Sequence, residues 1–364
     1  MHLKALDPLR VRSQHWDYPV SFHRTIEESV RALSDLKEAF VVVDSEVIRL
    51  HSEALLPITS QFPTFVAVAN EETKSLVGVA ALADWLIEGN AVRSATLIAI
   101  GGGCIQDLVS FTSHIYYRGI DWVYLPTTVL SQSDSCIGAK SGINVLPFKN
   151  QLGALHAPRK VCIAGEFIAT LSELEIQSGY GEILKLSLTS SRYFFGFLET
   201  SLKQHGLNSP DLLMLERLSL LAKQEIIESD ELETGLRQIL NYGHSFGHAL
   251  EALSGHDVPH GIAVLWGIDI MNALGVVWGI TPEPLAQRIS ELTRRRFPYR
   301  LLSTPSAEDL VDMLRRDKKV NSGHINFAVL SELGNLVLEP RPLDDKLLAE
   351  VRQVLVGNRA FNCD

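Results

Sequence analysis

Short runs of apolar residues alternate with helical patterns over the first 165 residues. Val, Ile and aromatic residues dominate five runs that predict buried strands, namely residues 39–44, 65–69, 96–100, 122–125 and 160–164. Helical periodicity occupies several of the intervals, for example 74–86 and 105–117. Because strands that alternate with helices form parallel sheets covered on both faces, this part is predicted to be an α/β domain with a parallel sheet.

Helical periodicity dominates from about residue 166 onward. Apolar positions recur at helical spacing over residues 212–228, 243–254, 283–294 and 307–316. Only 325–330 and 335–338 resemble strands. The pattern therefore predicts two domains, an α/β domain over 1–165 and a mainly α-helical domain over 166–364.

The longest apolar stretch, residues 262–280, has the length of a membrane span. Asp269 and Asn272 interrupt its centre, where a charged side chain is costly in lipid. A buried helix is therefore the preferred interpretation. The first 20 residues lack the apolar core of a signal peptide, so a cytoplasmic protein without a membrane partner is expected.

Composition and charge narrow the class of partner. The 364 residues include 33 basic and 43 acidic side chains, which give a net charge of -10. A negative surface repels phosphate backbones, which argues against nucleic acid. The four cysteines form no CxxC pair, as is usual for reduced thiols in a cytosol. An anionic small molecule would require a local basic site.

A glycine run follows the third predicted strand. Gly101, Gly102 and Gly103 stand where a strand ends and a helix begins, a place where backbone N–H groups can bind a phosphate. The complete GxGxxG fingerprint fails because Gln106 occupies the third glycine position. A tight turn that binds no ligand remains the alternative for this motif alone.

Three histidines and a glutamate suggest a metal site. His244 and His248 are four residues apart and share one helical face, and His260 opens the next helix. Histidines on a helix suit Zn²⁺, and Glu182 in GYGEILK is the candidate carboxylate ligand. Histidines at this spacing are also found as ordinary core residues, so the spacing alone leaves both interpretations open.

Basic residues occur near glycine, serine and asparagine in several segments. Each of them alone could be a solvated surface charge. Within loops such as GAKSGIN and PFKNQLG an anion site is the better explanation. The candidates are Lys140, Lys149 with Asn150, Lys185, Lys223, Arg237 and the run 317–319.

These motifs together resemble the dehydroquinate synthase family of sugar phosphate cyclases. The similarity covers nearly the whole chain and runs, in the family's order, through GGGCIQD, YRGI, LPTT, SDSCIGAKSGIN, KNQLG, GYGEILK, NYGHSFGHALE, PHG and DKK. It implies a Rossmann-like NAD-binding N-terminal domain, a helical metal- and substrate-binding C-terminal domain, a Zn²⁺ or Co²⁺ ion and a homodimer.

The resemblance also implies roles for individual residues. Metal ligands would be Glu182, His244 and His260. NAD would be held by Asp44, Glu71, Lys74, Gly102, Gly103, Asp107, Thr127, Thr128, Lys140, Lys149 and Thr170. Catalytic residues would be Asp134, Lys140, Lys185, Asn241 and His248. Substrate would contact Lys149, Asn150, Lys223, Arg237 and Lys319, and Arg118 would reach the site of a neighbouring subunit.

The implied reaction converts a sugar phosphate to a carbocycle with loss of phosphate. Bound NAD⁺ oxidises a ring hydroxyl, phosphate is eliminated, the hydride returns, and an intramolecular aldol closes the ring. In this family Lys223 and Arg237 would hold a substrate carboxylate, and a buried arginine without an anion would be costly. A 3-deoxy-arabino-heptulosonate 7-phosphate-like substrate is therefore expected.

Three departures from the family pattern keep alternatives open. Gln106 replaces the glycine of GGGxxGD, Leu174 replaces an arginine, and Ala139 and Ser141 flank Lys140 in place of glycine and threonine. Related cyclases that use sedoheptulose 7-phosphate or glucose 6-phosphate also deviate in these loops. A glycerol-dehydrogenase-like metal alcohol dehydrogenase is a further alternative of another class, since it shares the architecture.

Overall fold

The computed structural model describes residues 7–145, 148–233, 235–255, 257–297, 305–316 and 323–357. Lys319, expected at the substrate, lies outside these residues. The chain forms two compact units, Met1–Ser172 and Glu173–Asp364, where the sequence analysis placed the boundary near residue 165.

The first unit combines nine strands with five α-helices among its described residues. The strands are β1 (Leu9–Val11), β2 (Tyr18–His23), β3 (Ala39–Asp44), β4 (Thr64–Ala67), β5 (Thr96–Gly101), β6 (Asp121–Pro126), β7 (Lys140–Val145), β8 (Phe148–Leu155) and β9 (Lys160–Ala164). The helices are α1 (Ile26–Arg31), α2 (Ser45–Leu50), α3 (Ser52–Thr59), α4 (Leu76–Glu88) and α5 (Gly103–Ile115). Shorter 3₁₀ turns span Tyr116–Arg118 and Gly165–Thr170, and a π-helical turn spans Ser131–Ser135.

Seven strands form one sheet in the order β1-β2-β9-β6-β5-β3-β4. Every neighbouring pair is parallel except β1 with β2, which is antiparallel at the edge. The predicted α/β class and parallel sheet are confirmed. The strands are apolar on both faces, and Val41, Ile98 and Leu125 are fully buried in the same core cluster.

The strand order reverses between β3 and β5. The chain passes from β3 to β4 on one side, then crosses back to β5 and continues to β6 on the other. Ligands of open α/β sheets bind outside the carboxyl ends of the strands at such a switch point. Here β3 ends at Asp44 and β5 ends at Gly101, so both predicted cofactor segments flank it.

Strands β7 and β8 form a separate antiparallel hairpin that the sequence analysis treated as loops. Glycine, serine and asparagine interrupt the apolar residues of this stretch, so it lacks the sustained alternation of apolar and polar residues that marks a strand. The hairpin carries Lys140, Lys149 and Asn150. Backbone pairing therefore holds in register three residues that the family resemblance assigns to the site.

The second unit is mainly helical, as predicted. Its helices are α6 (Glu173–Ser190), α7 (Arg192–His205), α8 (Leu212–Ser229), α9 (His244–Leu253), α10 (His260–Val277), α11 (Glu283–Arg296), α12 (Ala307–Arg315) and α13 (Asp345–Gly357). Strands β10 (His324–Glu332) and β11 (Asn335–Pro342) form an antiparallel hairpin, and a 3₁₀ turn spans Leu236–Asn241.

Two central helices are buried on nearly every side. Helix α6 is buried continuously from Ile176 to Thr189, which removes the amphipathic period from its sequence. Helix α10 is long and apolar enough to cross a membrane by composition alone, but 72% of it is buried inside the protein. Its Asp269 is 6% exposed and lies 3.6 Å from Arg294. These properties are those of a core helix.

Glycines allow α6, α9 and α10 to approach closely. A Cβ on Gly181 would lie 2.1 Å from the carbonyl oxygen of Gly261, and one on Gly267 would lie 1.9 Å from that of Gly243. Neither distance leaves room for a side chain. Gly243 also has a φ of 78° at the start of α9, a conformation that glycine adopts without steric cost. These contacts bring the first residues of α9 and α10 against the middle of α6.

Candidate active site

Three side chains from different helices of the second unit converge on one point. Glu182 lies in the middle of α6, and His244 and His260 are the first residues of α9 and α10. Oε1 of Glu182 lies 3.4 Å from Nε2 of His244 and 3.1 Å from Nε2 of His260. One ligand atom from each residue lies within 4.8 Å of the others. A His₂Glu set is a known catalytic zinc environment.

The buried carboxylate of Glu182 supports a metal interpretation. Its side chain is 1% exposed, and within the described residues neither oxygen accepts a well-aligned hydrogen bond. Burial alone would raise its pKa, but the charge of Lys185 and the neighbouring His244 outweigh burial and hold that pKa well below its usual range. Glu182 is thus an ionised carboxylate whose Oε2 lies 2.5 Å from Nζ of Lys185 and whose Oε1 faces two imidazoles, and its charge suits a divalent cation.

His260 has a second carboxylate partner. Its Nδ1 lies 3.0 Å from Oε2 of Glu251, on the ring side opposite Glu182. Burial lowers the pKa of His260, but Glu182 and Glu251 more than offset this and raise it to about 10. For His244, burial outweighs Glu182 and lowers the pKa. Glu251 therefore fixes the ring orientation of one predicted ligand.

Two further predicted catalytic residues lie on α9 or in the 3₁₀ turn that precedes it. The His248 ring centroid lies 5.3 Å from that of His244 and 5.8 Å from that of His260. Asn241 donates a 2.8 Å hydrogen bond from Nδ2 to Oε1 of Glu233, a residue with a φ of 64°. A non-glycine residue held at positive φ is strained, and such strain is common at functional sites.

The two predicted carboxylate-binding residues are both buried. Lys223 on α8 is 8% exposed and Arg237 in the 3₁₀ turn is 7% exposed. Arg237 donates a hydrogen bond from its guanidinium to the carbonyl oxygen of Glu231, and its backbone N–H donates to Asp230. The expectation that Arg237 would be left without a partner unless a substrate carboxylate binds is therefore wrong, because a backbone carbonyl already satisfies part of it.

In the first unit, the glycine run leads from β5 into α5. Gly102 is the N-cap of α5, and a Cβ on Gly103 would meet no atom within 4 Å. The N-terminus of α5 is thus open, and its first N–H groups are suited to a phosphate. Asp44 caps α2 at the end of β3, where its Oδ1 accepts from the Glu46 N–H at 3.1 Å. The N-terminus of α5 and Asp44 thus lie at the same edge of the sheet, at the carboxyl ends of the neighbouring strands β5 and β3.

Lys74 and Asp107 form a buried ion pair beside this helix terminus. Nζ of Lys74 lies 2.6 Å from Oδ2 of Asp107. Burial lowers the pKa of Lys74, but the Asp107 charge outweighs burial and the pKa is raised overall. Oδ1 of Asp107 also accepts a 3.1 Å hydrogen bond from the N–H of Gly142. The pair therefore ties α5 to the β7–β8 hairpin.

Asn144 links two more predicted residues. Its Nδ2 donates to Oε2 of Glu71 at 2.6 Å, and its Oδ1 accepts from the N–H of Asn150 at 3.0 Å. Lys149 completes the network, with Nζ 2.9 Å from Oε1 of Glu71. Asn150 has a φ of 52°. A residue predicted for cofactor and two predicted for substrate are thus brought together by an asparagine that is 1% exposed.

The remaining predicted residues of the first unit lie on turns. Thr127 and Thr128 follow β6, and Oγ1 of Thr128 lies 2.9 Å from Oγ of Ser131. Oγ1 of Thr170 lies 2.8 Å from Nε2 of His51. Asp134 is half-buried in the π-helical turn and Lys140 is exposed at the start of β7.

Arg118 lies on an exposed turn that follows α5. Its φ is 63°, between Tyr117 at 50° and Gly119 at 122°. Three successive residues in the left-handed region form an unusual turn, which projects the arginine from the end of α5.

Sequence reasoning missed three residues that hold the predicted ones in place, namely Glu251, Glu233 and Asn144. Glu251 was visible, since it follows His248 by three residues on the same helix. Glu233 and Asn144 carry no such signal, because their partners come from elements whose proximity only the fold reveals.

Two family models match consecutive parts of the chain. The model described as 3-dehydroquinate synthase N-terminal matches residues 64–178, and that described as 3-dehydroquinate synthase C-terminal matches residues 179–320. A 3-dehydroquinate synthase of Vibrio atlanticus (strain LGP32) is 33% identical over 339 residues, which are 90% of this chain and 94% of that relative.

Two solved structures are similar in fold. The 2-deoxy-scyllo-inosose synthase complexed with carbaglucose-6-phosphate, NAD⁺ and Co²⁺ has a TM-score of 0.84 at 21% identity, covering 95% of this chain and 99% of that one. The 2-epi-5-epi-valiolone synthase of Streptomyces hygroscopicus subsp. jinggangensis 5008, with NAD⁺ and Zn²⁺ bound, has a TM-score of 0.84 at 24% identity, covering 98% and 99%.

Proposed function

The chain belongs to the 3-dehydroquinate synthase family, and we propose that it is a phosphate-eliminating carbon–oxygen lyase that converts a 3-deoxy-arabino-heptulosonate 7-phosphate-like substrate to 3-dehydroquinate or an analogue. The observation that carries this proposal is the convergence of Glu182, His244 and His260 within a chain that matches the family over both halves. The alternatives with sedoheptulose 7-phosphate or glucose 6-phosphate, and the dehydrogenase alternative, are not favoured by these relatives.

Glu182, His244 and His260 would hold a divalent Zn²⁺ or Co²⁺ ion. When bound, the metal supplies a Lewis acid for a substrate oxygen and NAD supplies a hydride acceptor. Lys185 keeps Glu182 ionised, and Glu251 orients His260. Lys140, Lys185, Asn241, His248 and Asp134 would be the catalytic residues, which orient the sugar and move its protons.

The first unit would bind NAD. The open N-terminus of α5 at Gly102 and Gly103 suits the pyrophosphate. Support for the other contacts comes from the two networks, Lys74 with Asp107 and Glu71 with Lys149. The full proposed set is Asp44, Glu71, Lys74, Gly102, Gly103, Asp107, Thr127, Thr128, Lys140, Lys149 and Thr170.

Substrate anions would be bound by basic residues. Lys149 and Asn150 are proposed for the phosphate, and Lys223 and Arg237 for the carboxylate, since a guanidinium binds a carboxylate in a bidentate way. Lys319 belongs to the proposed set by motif alone. We further propose a cytoplasmic homodimer in which the exposed Arg118 contributes to the site of the partner subunit.

The experiment that tests this function offers three substrates to the purified, metal-loaded protein with NAD⁺. Inorganic phosphate release is followed for 3-deoxy-arabino-heptulosonate 7-phosphate, sedoheptulose 7-phosphate and glucose 6-phosphate. The proposal expects release from the first at a kcat/KM far above the others. A higher kcat/KM for sedoheptulose 7-phosphate or glucose 6-phosphate, which lack a carboxylate, would assign the chain to the cyclases that use those sugars.

A further inference from the structure

Gln106 forms a two-way hydrogen-bonded pair with Ser135. Its Nε2 donates to the carbonyl oxygen of Ser135 at 2.6 Å, and Oγ of Ser135 donates to Oε1 of Gln106 at 2.6 Å. Gln106 is 4% exposed in the second turn of α5. A buried amide is costly unless both of its ends are bonded, so Ser135 satisfies a side chain that replaces the glycine of the family pattern.

Ser135 ends the π-helical turn Ser131–Ser135, which carries Asp134. The N–H of Cys136 donates to the carbonyl oxygen of Ser131 at 3.1 Å, the wide spacing of a π turn. Such turns are rare and occur mostly at functional sites. The bond from Gln106 therefore holds the backbone at the residue after Asp134.

The neighbouring residue of α5 holds the same segment at its other end. Asp107 accepts from the N–H of Gly142 in β7, two residues after Lys140. Gln106 and Asp107 thus bind Ser135 and Gly142, near the two ends of the stretch that leads from Asp134 to Lys140. Both contacts come from consecutive residues of one helix, and within the stretch the N–H of Gly138 also donates to the hydroxyl of Tyr18 at 2.9 Å.

We propose that Gln106 and Ser135 are positioning residues that set Asp134 for the sugar hydroxyls and so contribute to substrate affinity. This inference rests on the proposed function and on the role assigned there to Asp134. Gln106 stands where the family pattern GGGxxGD has a glycine, and a glycine has no side chain that could bind the turn. Loss of the pair should weaken substrate binding and leave NAD binding unchanged.

Three single variants separate this role from general stability. Gln106→Met keeps the buried volume and Ser135→Ala keeps the backbone, while each removes hydrogen bonds of the pair. Ser133→Ala is the matched control, because Ser133 is in the same turn, is 0% exposed, and its hydroxyl has no hydrogen bond within the described residues. The first two variants should raise KM for 3-deoxy-arabino-heptulosonate 7-phosphate about tenfold, as expected for one or two lost hydrogen bonds. The control should not.

A double-mutant cycle tests whether the pair acts through Asp134. Kinetics of Gln106→Met are compared in the wild-type and Asp134→Ala backgrounds, with the NAD dissociation constant and the melting temperature measured alongside. The proposal expects the tenfold effect on KM to disappear once Asp134 is absent, at constant NAD affinity. Additive effects, a KM unaffected by Asp134→Ala, or an equal effect of Ser133→Ala would each overturn it. If the wild type instead releases no phosphate, the proposed function itself has failed.

Discussion

Oε2 of Glu251 lies 3.0 Å from Nδ1 of His260, so the two ring nitrogens of His260 face two different carboxylates. A carboxylate accepts hydrogen bonds, so Nδ1 donates its proton to Glu251. This would leave Nε2 to bind a metal ion that Glu182 also holds. Metal-binding histidines commonly have such a carboxylate partner, which fixes the tautomer and raises the basicity of the ligand.

Removal of this partner should weaken metal binding. We expect Glu251→Ala to lower the Zn²⁺ affinity by about 10- to 100-fold, and Glu251→Gln to lower it less because the amide oxygen still accepts a hydrogen bond. Competition with a chromogenic chelator measures the affinity directly. Glu332→Gln, an exposed glutamate of β10, is the control. Unchanged affinity in Glu251→Ala would show that Glu251 does not support the metal.

Arg237 tests the identity of the substrate. Removing one member of a buried charge pair costs about 2–5 kcal/mol, so Arg237→Met should lower kcat/KM for the heptulosonate phosphate by roughly two to three decades. The kcat/KM for sedoheptulose 7-phosphate, which has no carboxylate, should fall much less. Equal losses with both sugars would contradict the carboxylate role.

Because Arg237 also binds the Glu231 carbonyl, the variant needs a stability control. A melting temperature of Arg237→Met equal to that of the wild type would show that the variant has a binding defect and not a folding defect. Arg237→Lys keeps the charge but not the bidentate fork, so it should recover only part of the activity. Full recovery with lysine would show that charge alone is required.

The fold class has a local signal in the sequence, whereas the choice of Glu182, His244 and His260 as metal ligands rested on the family resemblance, since the histidine spacing alone left an ordinary core open. Buried strands of a parallel sheet are apolar throughout, as in 39–44 and 96–100, and helix spacing places His244 and His248 on one face. Helix α6 gave no such signal, because it is buried on all sides and its sequence therefore has no alternation of apolar and polar faces at helical spacing. The β7–β8 hairpin was missed because glycine, serine, asparagine and lysine interrupt its apolar residues.

Supporting contacts were the least predictable part of the site. The bonds from Asn144 to Glu71 and from Gln106 to Ser135 join residues 73 and 29 positions apart. No local pattern encodes such distances. Gln106 was noted only as a departure from the family pattern, and the structure shows what its side chain contacts.

Glu216 on α8 should make stability depend on pH. It is 0% exposed, and neither carboxylate oxygen has a hydrogen bond within the described residues. Burial raises its pKa well above the ordinary value of 4.5. The stability associated with protonated Glu216 is therefore fully present below the unfolded-state pKa and is lost as pH rises through the folded-state pKa.

Glu216→Gln removes the free-energy cost of burying an ionised carboxylate at high pH. Its free energy of unfolding at pH 8 should exceed that of the wild type by roughly 1–3 kcal/mol, and the difference should shrink at pH 5. Urea denaturation at both pH values measures it. Glu225→Gln, an exposed glutamate on the same helix, is the control and should change neither value. A destabilised Glu216→Gln at pH 8 would mean that the carboxylate is ionised and stabilising.

The most direct test of the account is the fate of NAD during turnover. A cyclase returns the hydride within each cycle, so the protein with 3-deoxy-arabino-heptulosonate 7-phosphate should release many equivalents of phosphate per NAD. Phosphate assays and absorbance at the NADH band, recorded on one sample, give both quantities. The account predicts phosphate far in excess of NAD with no net rise in NADH. NADH that accumulates with each turnover, or phosphate release limited to one equivalent per NAD⁺, would contradict it.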